Sequence, residues 1–227
     1  MNNKFNGMPA LLGAVAMLAL GGCVSDGDYT PMDLTKSEGV VIQSPGQSPG
    51  GATRLGQIPF TPPQWAVGDA WSYSDGMGFK VAAVDGRIGK FQRTDDPKQW
   101  FTADGVFRLD SQSRAALRKA VYNSDDIQKL YSARPGQSIT FQREYTRNGV
   151  LVRHQTSWTI DGYERINVPA GSFDTIKLTK RSRSLTGNWT GFERWWYSPQ
   201  AKNYVRMEYR YGEAPESARV LTSYTVQ

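Results

Sequence analysis

Two reactive side chains are nearly missing from this 227-residue chain, which has one cysteine, Cys23, and one histidine, His154. A lone cysteine has no partner in the chain for a disulfide, and one Cys with one His cannot supply the four protein ligands of a Cys/His zinc site. Long hydrophobic runs are also missing. The apolar run Leu11 to Leu20 falls well short of the roughly 20 residues that a helix needs to span a bilayer. No phosphate-cradling glycine loop, dinucleotide fingerprint or metal motif is present, so no cofactor is expected. Gly46-Gln47-Ser48-Pro49-Gly50 matches the hydrolase pattern G-x-S-x-G. That nucleophile needs a strand before it and a helix after it, and a proline-rich segment supplies neither. The net charge of +6 is spread along the chain and forms no cluster, which argues against nucleic acid as a partner.

The N-terminus carries an address. Lys4 lies in a short polar start, the apolar run follows, and Gly21-Gly22 precede Cys23. A basic start, a short apolar core and small residues before a cut make residues 1–22 a secretory signal. Leu20-Gly21-Gly22-Cys23 resembles the bacterial lipobox. The resemblance implies that Cys23 is lipidated and becomes the first residue of the mature chain, held to a membrane by its lipid anchor. Val24 stands where inner-membrane retention is associated with Asp, so the resemblance points to the outer membrane, facing the periplasm. Residues 23–59 are rich in Gly, Pro, Ser, Thr and Gln. Such a composition buries too little to offset backbone ordering and reads as a flexible tether.

Residues 60–227 read as a single β-rich domain. Aromatic and β-branched residues come in short runs separated by turn dipeptides. The clearest strand is Tyr204 to Tyr211, where Val205, Met207, Tyr209 and Tyr211 alternate with Arg206, Glu208 and Arg210. A period of two gives one buried and one wet face. Further strands are expected at Ala70 to Ser74, Phe79 to Val84, Gly89 to Arg93, Ser138 to Arg147, Val150 to Ile160, Phe173 to Leu185, Phe192 to Tyr197 and Arg219 to Val226. Asn148-Gly149 and Asp161-Gly162 read as hairpin turns, because both dipeptides tolerate positive φ. Leu117, Val121 and Leu130 among Ala, Lys and Arg suggest one helix over Ser113 to Leu130. The expected fold class is mainly β: a strongly curved antiparallel sheet, half-barrel or barrel-like, with one short helix.

Val168-Pro169-Ala170-Gly171-Ser172-Phe173-Asp174-Thr175, with Trp196-Tyr197-Ser198-Pro199 and the strand Tyr204 to Tyr211, resembles a signature of poorly characterised bacterial envelope lipoproteins. That group is expected to resemble the LolA and LolB carriers, where a curved sheet half-wraps a helix and lines an apolar cleft. No catalytic residue comes with the resemblance. In physical terms Pro169 lacks a ladder donor and Gly171 allows positive φ, so the motif makes a corner between strands.

Few residues offer chemistry. His154 sits in an expected strand, and no Ser or Asp can be placed beside it. Glu193, beside Arg194, reads as half of a cross-strand ion pair. Trp195 and Trp196 fall on opposite faces by alternation, so one indole leaves the main core face. These features favour a non-enzymatic outer-membrane lipoprotein. Its ligand residues would be Trp195, Trp196, Val205, Met207, Tyr209 and Tyr211, and its partner either an apolar or amphiphilic ligand or a protein of envelope assembly. Two alternatives stay open: an enzyme acting on envelope polysaccharide or peptidoglycan through Glu193 or Asp174, and a purely structural scaffold.

Overall fold

A computed structural model of the chain describes residues 58–122 and 125–227. The signal segment 1–22, the lipidation site Cys23 and nearly all of the tether 23–59 lie outside the described residues. The rest forms twelve antiparallel strands. They are β1 (Ala70–Tyr73), β2 (Gly78–Asp85), β3 (Ile88–Arg93), β4 (Trp100–Asp104), β5 (Phe107–Gln112), β6 (Leu117–Tyr122), β7 (Ser138–Arg147), β8 (Val150–Val168), β9 (Gly171–Ser184), β10 (Thr190–Ser198), β11 (Asn203–Tyr211) and β12 (Ser217–Thr225). Each strand pairs with the next, and β1 pairs with β12, Ala70 opposite Thr225, so the sheet closes into a barrel. The expected mainly-β, barrel-like class is thus observed. Full closure differs from a sheet half-wrapped around a helix: side chains fill this interior.

Alternation decides what points inward. Along β8, His154, Thr156, Trp158 and Ile160 are all buried while the residues between them are not. On β11, Met207 and Tyr209 are buried and Arg210 is exposed. Inward side chains form two apolar clusters. One is built on Trp71, Tyr73, Phe79, Phe91 and Leu221, the other on Phe107, Leu130, Trp158, Ile176 and Leu178.

The turns follow local chemistry. Asn148 and Gly149 have φ of 49° and 84° and join β7 to β8, the backbone that a primed hairpin turn requires. Pro169 and Ala170 make the expected corner between β8 and β9, with Gly171 at φ 132°. The corner folds back on the barrel, where the Ala170 N–H donates to the Leu221 carbonyl at 3.1 Å.

Two local expectations are overturned. Asp161-Gly162 is no turn, because β8 runs straight through it and the register with β9 slips between Ile160 and Gly162. The dipeptide makes a β-bulge, which uses the same backbone freedom of glycine. The segment Ser113 to Leu130 is no single helix. Leu117–Tyr122 is strand β6, and only Asp125–Ser132 is helical, as a 3-10 helix. Leu117 and Val121 are exposed on the strand's outer face, so their spacing of four satisfies a period of two as well as a helical one.

Because strands alternate in direction, turns collect at two ends. Turns at 74–77, 94–99, 113–116, 148–149, 185–189 and 212–216 share one end. The turns at 86–87, 105–106, 169–170 and 199–202 share the other with the 3-10 helix and the segment entering β1. Aromatic side chains pack this second end. Phe60 lies 4.7 Å from the Tyr131 ring and 5.4 Å from the Tyr197 ring, and the Tyr131 hydroxyl accepts the Val106 N–H at 2.9 Å.

Candidate functional site: a basic, aromatic chamber inside the barrel

A cavity of about 190 Å³ lies inside the barrel. Met77, Gln99, Ser113 and Trp189, all from turn segments of the first end, are among its lining residues, with Val106 from a turn of the second. Its floor is apolar and includes Phe107, Phe141, Trp158, Trp195 and Met207.

The walls are charged. Among the described residues, Arg93, Arg108, Arg118, Arg143, Arg219 and Lys180 line the cavity with a single carboxylate, Glu193. Alternation puts them there: Lys180 shares its face of β9 with Ile176 and Leu178, Arg143 shares its face of β7 with Phe141 and Tyr145, and Glu193 shares its face of β10 with Trp195. Sequence reasoning sent charges outward and missed the cations. Their matching parity with aromatic and aliphatic neighbours was the available signal.

Glu193 is the hub. Its Oε1 accepts from Lys180 Nζ at 2.6 Å and from the Tyr211 hydroxyl at 2.9 Å, and its Oε2 accepts from Trp195 Nε1 at 2.9 Å. Burial works against its charge, but the Lys180 ammonium and these hydrogen bonds outweigh burial and hold its pKa below the ordinary value. Burial pulls the Lys180 pKa down, Glu193 opposes that pull, and the nearby Arg143 and Arg108 guanidiniums add to it. The expected cross-strand ion pair of Glu193 is thus made with Lys180 on β9, while Arg194 lies on the outer face and pairs with Glu208 at 3.0 Å. Arg219, almost wholly buried, is held by Asp75 at 2.8 Å and donates to the Tyr209 hydroxyl at 3.2 Å.

Near the turn end three rings stack. The His154 imidazole is 4.5 Å from the Trp189 ring and nearly parallel to it, and Trp189 is parallel to Tyr211 at 6.4 Å. Trp189 lies over Gly191, where an added Cβ would sit 2.6 Å from the indole. Glycine is therefore needed at 191 for the indole to fold down against the sheet. His154 is engaged as a ring in this stack, with Tyr145 edge-on at 5.5 Å.

The expected ligand residues divide. Trp195, Met207 and Tyr211 line the cavity. Tyr209 is buried on the same face and holds Arg219. Trp196 does not belong to the chamber: parity turns it outward, where Lys177 and Arg206 flank its ring at 5.2 and 4.8 Å and its Nε1 donates to Glu164 at 3.1 Å. It is only 5% exposed, so it offers no open stacking face. Val205 is also outside the lining. The register passes from Trp196–Arg206 to Tyr197–Tyr204 and leaves Val205 unmatched at a bulge, fully buried.

No family model matches the chain, and no curated protein is significantly similar to it. Three solved structures share its general course. The hypothetical lipoprotein YmcC of Escherichia coli aligns with a TM-score of 0.49 at 9% identity, covering 70% of this chain and 85% of that one. An exported protein of Bacteroides fragilis with a YmcC-like fold gives 0.44 at 13% identity over 73% and 98% of the two chains. A protein described as a lipoprotein of Parabacteroides distasonis gives 0.38 at 15% identity with the same coverage. At these values the likeness carries no functional argument.

Proposed function

We propose that the protein is a non-enzymatic lipoprotein of the bacterial outer membrane, anchored through Cys23 and facing the periplasm, whose barrel takes up part of an amphiphilic ligand. The carrying observation is the chamber itself, which lies inside the barrel and is lined by four residues from turns of the first end. At about 190 Å³ it is smaller than the roughly 300–1,000 Å³ of common small-molecule sites. It therefore suits one end of an amphiphile and not a whole lipid. The lipobox residues Leu20 to Cys23 support the anchor, and the motif Val168 to Thr175 supports kinship with envelope lipoproteins and, more remotely, with LolA and LolB.

The arrangement of carboxylates favours binding over glycoside hydrolysis. Two carboxyl groups roughly 5 to 9 Å apart in one cleft are the usual requirement. Glu193 stands alone among the lining residues, tied to Lys180, while Asp174 is engaged with Arg165 at the protein surface.

The test is extraction of the full chain carrying Cys23→Ser, purified from the cell envelope without detergent. Mass spectrometry should find a bound amphiphile near one per chain, and the stripped protein should rebind a fluorescent fatty-chain probe. A chain with no bound amphiphile that also ignores the probe would leave the scaffold reading in its place.

A further inference from the structure

Resting on that reading of the chamber, we infer that it is an anion site: it receives a carboxylate or phosphate group, and this group, not the apolar tail, is what the protein recognises. The lining carries six cationic side chains and one carboxylate. That carboxylate is already saturated by Lys180, Tyr211 and Trp195. Arg93 and Arg219 are held by Asp95 and Asp75. Arg108, Arg143 and Lys180 line the chamber from β5, β7 and β9, and both guanidiniums are near enough to the Lys180 ammonium to act on its pKa.

Arg143 Nε and Trp189 Nε1, both on lining residues and shielded from solvent, are among the polar atoms without a hydrogen-bond partner. Both are donors. A buried donor left unmade is costly, and an acceptor brought within reach of either removes that cost. The neighbouring rings already treat the guanidiniums as flat cations: Arg108 lies 4.2 Å over Phe101 and Arg143 lies 4.9 Å over Tyr145. With a face of Arg143 on the ring and its Nε unmatched, an oxyanion would meet its edge, as arginine favours. The same chemistry could come from a free small anion or from the head of an amphiphile, and the cavity volume admits either.

The experiment titrates the full chain carrying Cys23→Ser with inorganic phosphate, octyl phosphate and octyl glucoside below their critical micelle concentrations. The readout is tryptophan emission, since Trp158, Trp189 and Trp195 line the chamber. Octyl phosphate should bind at least tenfold more tightly than octyl glucoside and weaken with added salt. Arg143→Gln should cost at least tenfold for octyl phosphate, whereas Arg194→Gln on the outer face should leave it unchanged, both variants melting at the parent's midpoint. Phosphate binding as tightly as octyl phosphate would support the anion site and overturn the amphiphile reading. Equal binding of octyl glucoside and octyl phosphate would overturn the anion site and leave the amphiphile reading standing. No saturable response to any of the three would overturn both.

Discussion

Lys180 and Glu193 face each other across β9 and β10 inside the barrel, 2.6 Å apart and largely shielded from water. Removing one partner of a buried ion pair strands the other, at a cost of about 3–5 kcal/mol, whereas replacing both with apolar side chains is often neutral. Lys180→Met is expected to lower stability by about that amount in urea unfolding. Lys180→Met with Glu193→Leu should recover most of the loss. A double variant no more stable than the single one would show that Tyr211 and Trp195 depend on the carboxylate.

The same carboxylate sets an acid response. Its folded pKa is depressed, so its ionisation stabilises the fold above the unfolded glutamate value of about 4.3 and that contribution is lost as pH falls through the lower folded value. Asp95 and Asp174 are depressed too, by their arginine partners Arg93 and Arg165. The difference between the parent and Glu193→Gln therefore isolates Glu193. The gap in stability should be widest near neutrality and narrow steadily through the acid range, and a gap constant with pH would contradict the assignment.

Gly105 has φ of 60°, and a Cβ there would overlap the Tyr131 hydroxyl that holds Val106. Gly105→Ala should destabilise by about 1–2 kcal/mol from backbone conformation alone, with steric overlap adding to it. In a Tyr131→Phe background the worst overlap is gone and only the ring edge, 2.8 Å from the Cβ position, stays close, so calorimetry should show a smaller drop in Tm for the alanine.

Met207 and Arg206 are neighbours on β11 with opposite fates, one lining the chamber and the other packed over Trp196 on the outside. Met207→Glu should weaken binding of an apolar probe several-fold, and Arg206→Ala should leave it unchanged. Both must first unfold cooperatively near the parent's midpoint.

These neighbours also show what the sequence makes legible. The alternation from Tyr204 to Tyr211 predicted a strand and its faces from Arg206 onward, but the bulge opposite Trp196 exchanges Tyr204 and Val205; the Val168-to-Gly171 corner lies where proline and glycine chemistry puts it. Ser113 to Leu130 failed because a spacing of four fits two periods, and only contact with β5 and β7 settles which one forms. Asp161-Gly162 failed because a bulge and a turn ask the same of the backbone. The chamber was hidden for a different reason. Arg143, Lys180 and Arg219 are charged, and their inward placement depends on partners contributed by other strands, including Glu193 and Asp75. Pattern reading along a single strand gives the shared parity of these cations with apolar neighbours but not the partners that let them stay inside.

Closure of β1 onto β12 limits how another protein can join this one. Ala70–Tyr73 is hydrogen-bonded to a strand on each side, as most of the ring is, but residues 162–168 of β8 pair with β9 alone, and β5 and β6 pair through only two residues each. Among the described residues, strand addition, the common route by which extended peptides dock on open sheets, is therefore confined to these short stretches. Elsewhere a protein that recognises the barrel must do so through side chains on the outer wall or through the turns around the rim, where recognition follows charge and shape and not the generic appetite of a sheet for one more strand.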